Sequence, residues 1–371
     1  MVDLIYLILC LLSLININIK GMNLFFDDYM NLDSTKSIKG IFVWMIFFRH
    51  FKEYIIKKNL KNKISIQIDK AFKQNIVSLF LFYSGYGIYE SFKKKGNSYI
   101  KTLPIKSTII FIKSQIILFL FLCNNYILGI KVYFRNYLKA IIFKKGIGNS
   151  YWFAFTIIIL YIHSFLSFIF IKKQKYNFLG IILISIICYY HIFVVYKYYH
   201  RNQMISVDTI ICFVVGFYYS FFKSYFDRLI MKNDITYFLT IIFFILIYFQ
   251  FYTIEHKNIK NVSLNNCLFT LIAVLITMKI KFKNEFLNLL SSHSYSIYLF
   301  QRIIMIYIFK KGYFRKNIFF KFFIEFILVI FISILFDKYT FFIDKSLKSI
   351  NNSKEMKKSK KVDLEKLKFL N

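Results

Sequence analysis

The chain has 371 residues, 58% of them hydrophobic, and a formal net charge of +33. The apolar content excludes a water-soluble domain of this length, because runs close to the length that spans about 30 Å of hydrocarbon recur throughout. So large a positive charge first suggests a nucleic-acid partner, but the cations sit in short loops between apolar runs and in the tail, with no basic domain outside them to bind one.

In chain order, the apolar runs give eleven expected spans. They lie at 4–19, 38–56, 69–89, 107–128, 151–171, 178–196, 207–222, 235–251, 264–278, 292–309 and 318–343. The fold class this predicts is an all-α membrane protein, a polytopic bundle of about 10–11 transmembrane helices. It forms one integral membrane domain over residues 1–344, followed by a basic, flexible cytosolic tail over 345–371. The first span lacks a basic leader and a small-residue cleavage site, so it is expected to be a retained helix. An inward tail puts the amino terminus outside and the segments Lys20–Lys36 and Lys93–Lys106 inside.

One proline and 11 glycines leave few of the mid-membrane interruptions that unwound transporter helices carry. The five cysteines (Cys10, Cys123, Cys188, Cys212 and Cys267) all fall in apolar runs without CxxC spacing, and read as small buried residues, not disulfides or metal ligands.

The second span carries the densest chemistry. Lys39 and His50 are eleven residues apart, almost three whole turns, so both project from one helix face about 16 Å apart along the axis. Ionisable groups inside a membrane span are functional candidates by default. Glu53, one turn after His50, is placed to hold the second ring nitrogen. Arg49 points about 100° away from His50. Ser84, Gly85 and Gly87 put small residues in mid-helix, where another helix can approach closely. Gln301 and Arg302 are polar in mid-helix, and Arg302 is expected to face the interior or a cavity. His293, just before that helix, is a weaker candidate. No nucleotide loop, Gly-x-Ser-x-Gly or HExxH occurs.

Lys39, ten intervening residues and His50 resemble the Arg/Lys-x10-His motif of the membrane acyltransferase-3 family. Phe80-Leu81-Phe82-Tyr83-Ser84-Gly85-Tyr86-Gly87 resembles that family's Phe-x-x-Ser-Gly-Phe/Tyr segment. The basic loop Lys93–Lys106 lies where the family carries a cytosolic Arg/Lys motif. Asn149–Phe153 resembles its Trp-Phe helix start, and Ser294–Leu299 its late Ser-x-x-Ile-Tyr-Leu helix. The matches fall in the family's order, and they look most like its surface-polysaccharide branch, in which Gln301-Arg302 occupies a late His-Pro site. The chain departs from the family pattern at Lys39, usually arginine, and at Ser107, where a second arginine is expected.

The resemblance implies O-acetylation of a cell-surface polysaccharide, or its lipid-linked precursor, in a bacterial cytoplasmic membrane, with acetyl-CoA as donor and no permanently bound cofactor or metal. His50 and Glu53 are then the expected catalytic pair, since histidine has the unperturbed pKa closest to neutrality. Lys39, Lys101 and Lys106 are the expected donor-binding cations, because CoA carries phosphates. Ser84, Tyr86 and Arg302 are expected to line the pocket. The expected partners are donor, glycan and membrane lipids, not nucleic acid. The competing expectation is a polysaccharide flippase, polymerase or other glycan-export protein, suggested by the basic loops and the abundance of aromatic rings.

Overall fold

Inside hydrocarbon a lone segment satisfies its backbone N–H and C=O groups only as a helix, and helices dominate the computed structural model. It describes residues 2–55, 64, 68, 72, 75–144, 146–149, 151–171, 176–198, 207–254, 259–313 and 317–368. In order the elements are α1 (Val2–Leu14), β1 (Ile17–Ile19), α2 (Leu32–Ile55), α3 (Asn75–Lys95), α4 (Asn97–Ile100), α5 (Leu103–Ile127), α6 (Phe134–Ile141) and α7 (Trp152–Phe168). Then follow α8 (Asn177–Tyr198), α9 (Ile210–Ile230), α10 (Asp234–Ile254), α11 (Ile259–Lys279), β2 (Ile280–Phe282), α12 (Glu285–Ser292), α13 (Ser294–Lys311) and α14 (Ile318–Lys368).

The chain is an all-α polytopic membrane protein. Five stretches are long and apolar enough to cross a membrane: Asn97–Ile127, Asn177–Lys197, Asp234–Phe251, Asn261–Lys279 and Ile318–Leu347. The helices that carry His50, Glu53 and Arg302, α2 and α13, are not among them. Their polar groups lower their hydropathy, and thirteen residues of α2 are buried against protein. By contrast only 6% of the apolar window of α10 is buried inside the bundle, so α10 turns its surface to lipid.

Several boundaries differ from the expected ones. The first helix stops at Leu14, because Asn16 turns into the left-handed region at φ 59°. The alternating Ile17-Asn18-Ile19 then pairs antiparallel with Ile280–Phe282 in a two-stranded ribbon. Helix α5 starts at Leu103, ahead of the expected 107, with Pro104 in its first turn, where its missing N–H costs nothing. The late span starts at Ser294, two residues after the expected 292, and a short helix that was not expected, α12, precedes it across His293. Asn284 starts α12 by accepting a hydrogen bond from the Leu287 N–H at 3.2 Å. Helix α14 runs on through the lysine-rich segment to Lys368. The expected start of the third span falls at 69–71, outside the described residues.

Two glycine contacts fix the helices that matter most. A Cβ on Gly85 of α3 would stand 2.1 Å from the Phe213 carbonyl oxygen of α9, and a Cβ on Gly40 of α2 would stand 2.1 Å from the Leu287 oxygen of α12. Both crossings are therefore backbone-to-backbone, the geometry that small residues permit. Phe47, Phe48 and Phe51 of α2 pack edge-on against Phe322 of α14. All five cysteines are free, as their placement in apolar runs implied. Below the bundle Tyr29 is buried, and its hydroxyl donates to Asp227 at 2.6 Å and meets Tyr219 at 2.7 Å. Burial above all pushes the Tyr29 phenol far up, so it remains a donor.

Candidate active site

Helix periodicity places Lys39 and His50 on one face of α2, and the neighbouring helices turn that face into a site. Glu53 lies one turn beyond His50, and its Oε1 is 3.1 Å from His50 Nδ1. Arg302 reaches across from α13: its Nη2 is 2.8 Å from Glu53 Oε2 and 2.9 Å from His50 Nδ1. The imidazole is 14% exposed and the Glu53 side chain 47%, so the ring is sheltered while the carboxylate keeps partial access to solvent.

One ring nitrogen thus faces both an acceptor and a donor. A neutral imidazole carries its proton on one nitrogen only. With the proton on Nδ1, Glu53 accepts it and Nε2 holds a free lone pair. With the proton on Nε2, Arg302 donates to Nδ1. Among the described residues Nε2 makes no hydrogen bond, so it is the ring atom left for a reactant in either tautomer.

A cavity of about 390 Å³ lies along the same α2 face, within the roughly 300–1,000 Å³ range of small-molecule sites. Its wall includes Lys39, Val43 and Ile46 of α2, Ser84 of α3, Lys113 of α5 and Gln301 of α13. From Lys39 to Ile46 is about 10 Å of helix, and His50 stands one further turn, about 6 Å, beyond Ile46. Gln301 is the chain neighbour of Arg302. The cavity therefore has Lys39 at one end and leads toward His50, Glu53 and Arg302 at the other. Among the described residues no carboxylate pairs with Lys39, whose Nζ lies 5.9 Å from the centre of the Tyr83 ring. The Tyr83 hydroxyl is buried on the cavity wall with no hydrogen-bond partner among the described residues.

The expected residues divide into three groups. Lys39 and Ser84 line the cavity; His50, Glu53 and Arg302 meet one turn beyond it, so Arg302, expected on the wall, stands off it beside the lining Gln301. Tyr86 does not line it: two residues along a helix is a turn of about 200°, so Tyr86 leaves the opposite side of α3 from Ser84 and packs by Phe82 and Tyr219. Lys101 and Lys106 are also absent from the wall. Lys101 is exposed at the end of α4, and Lys106 places its ammonium 4.0 Å from the centre of the Tyr99 ring.

Several pairings escaped the sequence. Lys113 lines the cavity and pairs with Asp344 at 3.0 Å; a lone lysine inside an apolar span was its signal. His293 is held by Asp337 at 2.6 Å, and the same carboxylate accepts from Ser296 at 2.5 Å. His163 and His191, expected on separate spans, bring their rings 5.2 Å apart. Among the described residues no His, Cys, Asp and Glu cluster could hold a metal ion.

A histidine backed by a carboxylate and a guanidinium, one turn beyond a cavity whose wall carries two lysines, suits proton transfer to or from a bound substrate. The family model for the acyltransferase domain matches residues 33–337, which contains α2, the cavity walls, Arg302 and Asp337. No curated protein and no solved structure matches the chain. The match covers most of the chain and every helix that builds the site, so the protein belongs to the acyltransferase-3 family and is a membrane acyltransferase.

Proposed function

We propose that the enzyme transfers an acetyl group from acetyl-CoA to a hydroxyl of a cell-surface polysaccharide or its lipid-linked precursor, in a bacterial cytoplasmic membrane. The observation that carries this reading is the meeting of His50, Glu53 and Arg302 one turn beyond a cavity that begins at Lys39.

A sugar hydroxyl is a poor nucleophile at neutral pH and needs a base. With Nδ1–H donated to Glu53, His50 Nε2 takes the hydroxyl proton as the oxygen attacks the thioester carbonyl. The resulting imidazolium forms beside Glu53, whose negative charge favours it, while Arg302 clamps that carboxylate in place. Collapse of the tetrahedral intermediate breaks the C–S bond, and the imidazolium proton returns to the leaving thiolate. The ester and free CoA are the products, and atoms and charge balance.

Lys39 supplies a cation for the anionic part of the donor, as a point charge without the bidentate fork of arginine. Lys106 lies one turn of α5 before Ile109 of the cavity wall, and Lys101 further out, so both serve phosphates that remain outside the cavity. The test compares NMR spectra of surface polysaccharide from wild type, a deletion strain and a His50→Ala strain. Loss of acetyl resonances in both mutants with the polymer backbone intact is the expected result. Loss of the polymer itself in the deletion strain would support an export function instead, and unchanged acetylation would refute the assignment.

A further inference from the structure

Two cations line the cavity, Lys39 and Lys113, and among the described residues on its wall there is no carboxylate. Among the described residues Lys39 stands without an acidic partner. Lys113 has one, but that partner comes from outside the wall: Asp344, near the end of the apolar part of α14, whose Oδ2 lies 3.0 Å from Lys113 Nζ. The two side chains are 12% and 23% exposed. The other oxygen of Asp344 is buried and makes no hydrogen bond among the described residues.

This is a poorly satisfied pair. A carboxylate can accept about four hydrogen bonds, and a buried acceptor left without a partner is destabilising. The next acid on the same face of α14, two turns earlier, behaves differently. Asp337 uses both oxygens, on His293 and on Ser296, the residues that flank the cavity-lining Ser294 and Tyr295. Tyr295 in turn shares a 2.7 Å hydrogen bond with Ser114, the chain neighbour of Lys113. Asp337 therefore fixes the helix start beside the cavity, and Asp344 only neutralises a lysine.

We propose that Lys113 is a second anion-binding residue of the donor cavity, and that Asp344 is an internal counter-ion which a phosphate of the donor displaces. The ligand class is a phosphate- or pyrophosphate-bearing acyl donor, so the inference rests on the donor reading above. A phosphate offers more charge and more acceptor oxygens than one carboxylate. It takes over Lys113, while Asp344, already partly exposed, turns to water and recovers the hydration its buried oxygen lacks.

The experiment measures acetyl-CoA and CoA binding to the purified full-length protein by calorimetry, for wild type, Lys113→Gln, Asp344→Asn and the doubly neutral Lys113→Gln/Asp344→Asn. Expected are a loss of about tenfold or more for Lys113→Gln, a several-fold gain for Asp344→Asn because the internal competitor is gone, and weak binding by the double variant. The double variant leaves no unpaired charge, so it reports on Lys113 even if a single variant fails to fold. Wild-type affinity in Lys113→Gln or in the double variant would overturn the proposal. So would Asp344→Asn weakening binding as much as Lys113→Gln, since Asp344 would then be a strut that positions the lysine. If the wild-type protein binds neither acetyl-CoA nor CoA, the donor reading itself fails, an outcome distinct from bound donor with unshifted variants.

Discussion

Replacing Glu53 by glutamine is the perturbation that best isolates the arrangement at the end of the cavity. Glutamine keeps the length of the side chain and a carbonyl acceptor for His50 Nδ1, but removes the charge that faces the forming imidazolium. It also removes the partner of Arg302, now 2.8 Å away. A hydrogen bond to a charged group contributes about 1.5–3 kcal/mol. Because the Glu53 side chain is 47% exposed, water screens part of this, and the low end, about 1.5–2 kcal/mol, is appropriate. At about 1.36 kcal/mol per decade, kcat falls roughly 10- to 30-fold. His50→Ala removes the proposed base and should lower kcat about 10²- to 10⁴-fold. The assay follows acetyl transfer at saturating donor in purified membranes. The donor KM of Glu53→Gln should stay near wild type, because Glu53 is not on the cavity wall. Wild-type kcat in Glu53→Gln alongside an inactive His50→Ala would refute the carboxylate's role, and a raised donor KM with unchanged kcat would refute its placement.

Two further expectations concern stability. Gly85→Ala and Gly87→Ala differ by one turn-half on the same helix, yet should act oppositely. The first drives a methyl to within 2.1 Å of the Phe213 oxygen, whereas the second meets nothing within 4 Å; thermal unfolding in detergent should fall by at least about 1–3 kcal/mol for Gly85→Ala and hold or rise by up to about 1 kcal/mol for Gly87→Ala. On the loop before α2, a hydrogen bond from Lys281, more than any other influence, holds the Asp28 carboxyl below the usual carboxylate range. A lowered folded-state pKa contributes stability that is present above the unfolded value near 4 and is lost as pH falls through the folded value. Asp28 is half exposed, so Asp28→Asn should destabilise by under about 1 kcal/mol at pH 7. The difference from wild type should vanish in melts taken at the acid end, and a gap that widens on acidification would contradict the pairing.

What the sequence made legible follows from which distances are local. Lys39, His50 and Glu53 share one helix, and a helix fixes relative positions by residue count alone. Apolar run length likewise placed the long helices, since hydrocarbon thickness dictates it. Tyr86 sits two residues from Ser84, about 200° round the helix, and packs by Phe82 and Tyr219, off the cavity wall. Arg302 was recognisable as an interior group, but its union with Glu53 depends on how α13 crosses α2, and no pattern along either helix encodes that. The pairing of Lys113 with Asp344 spans most of the chain and was invisible for the same reason. Asn16 ends α1 inside an expected apolar run through its backbone conformation, which composition does not report.

The separation of Lys39 from His50 sets a demand on any donor that uses both. The two side chains leave the same face of α2 about 16 Å apart, so no single small group reaches them together. A donor held by its phosphates at the Lys39 end must carry its acyl group on an extended arm to reach His50, and the cavity wall between them is formed largely by Val43, Ile46, Val77, Phe80 and Ile157. An apolar lining suits a flexible, weakly polar arm and excludes the charged head, which leaves the head at the lysine end. The hydroxyl to be acylated then has to approach His50 from the side away from Lys39, where the half-exposed Glu53 marks access to solvent. On the proposed reading, the two substrates enter from opposite ends, the acceptor away from the lysines and the donor along the apolar wall toward His50.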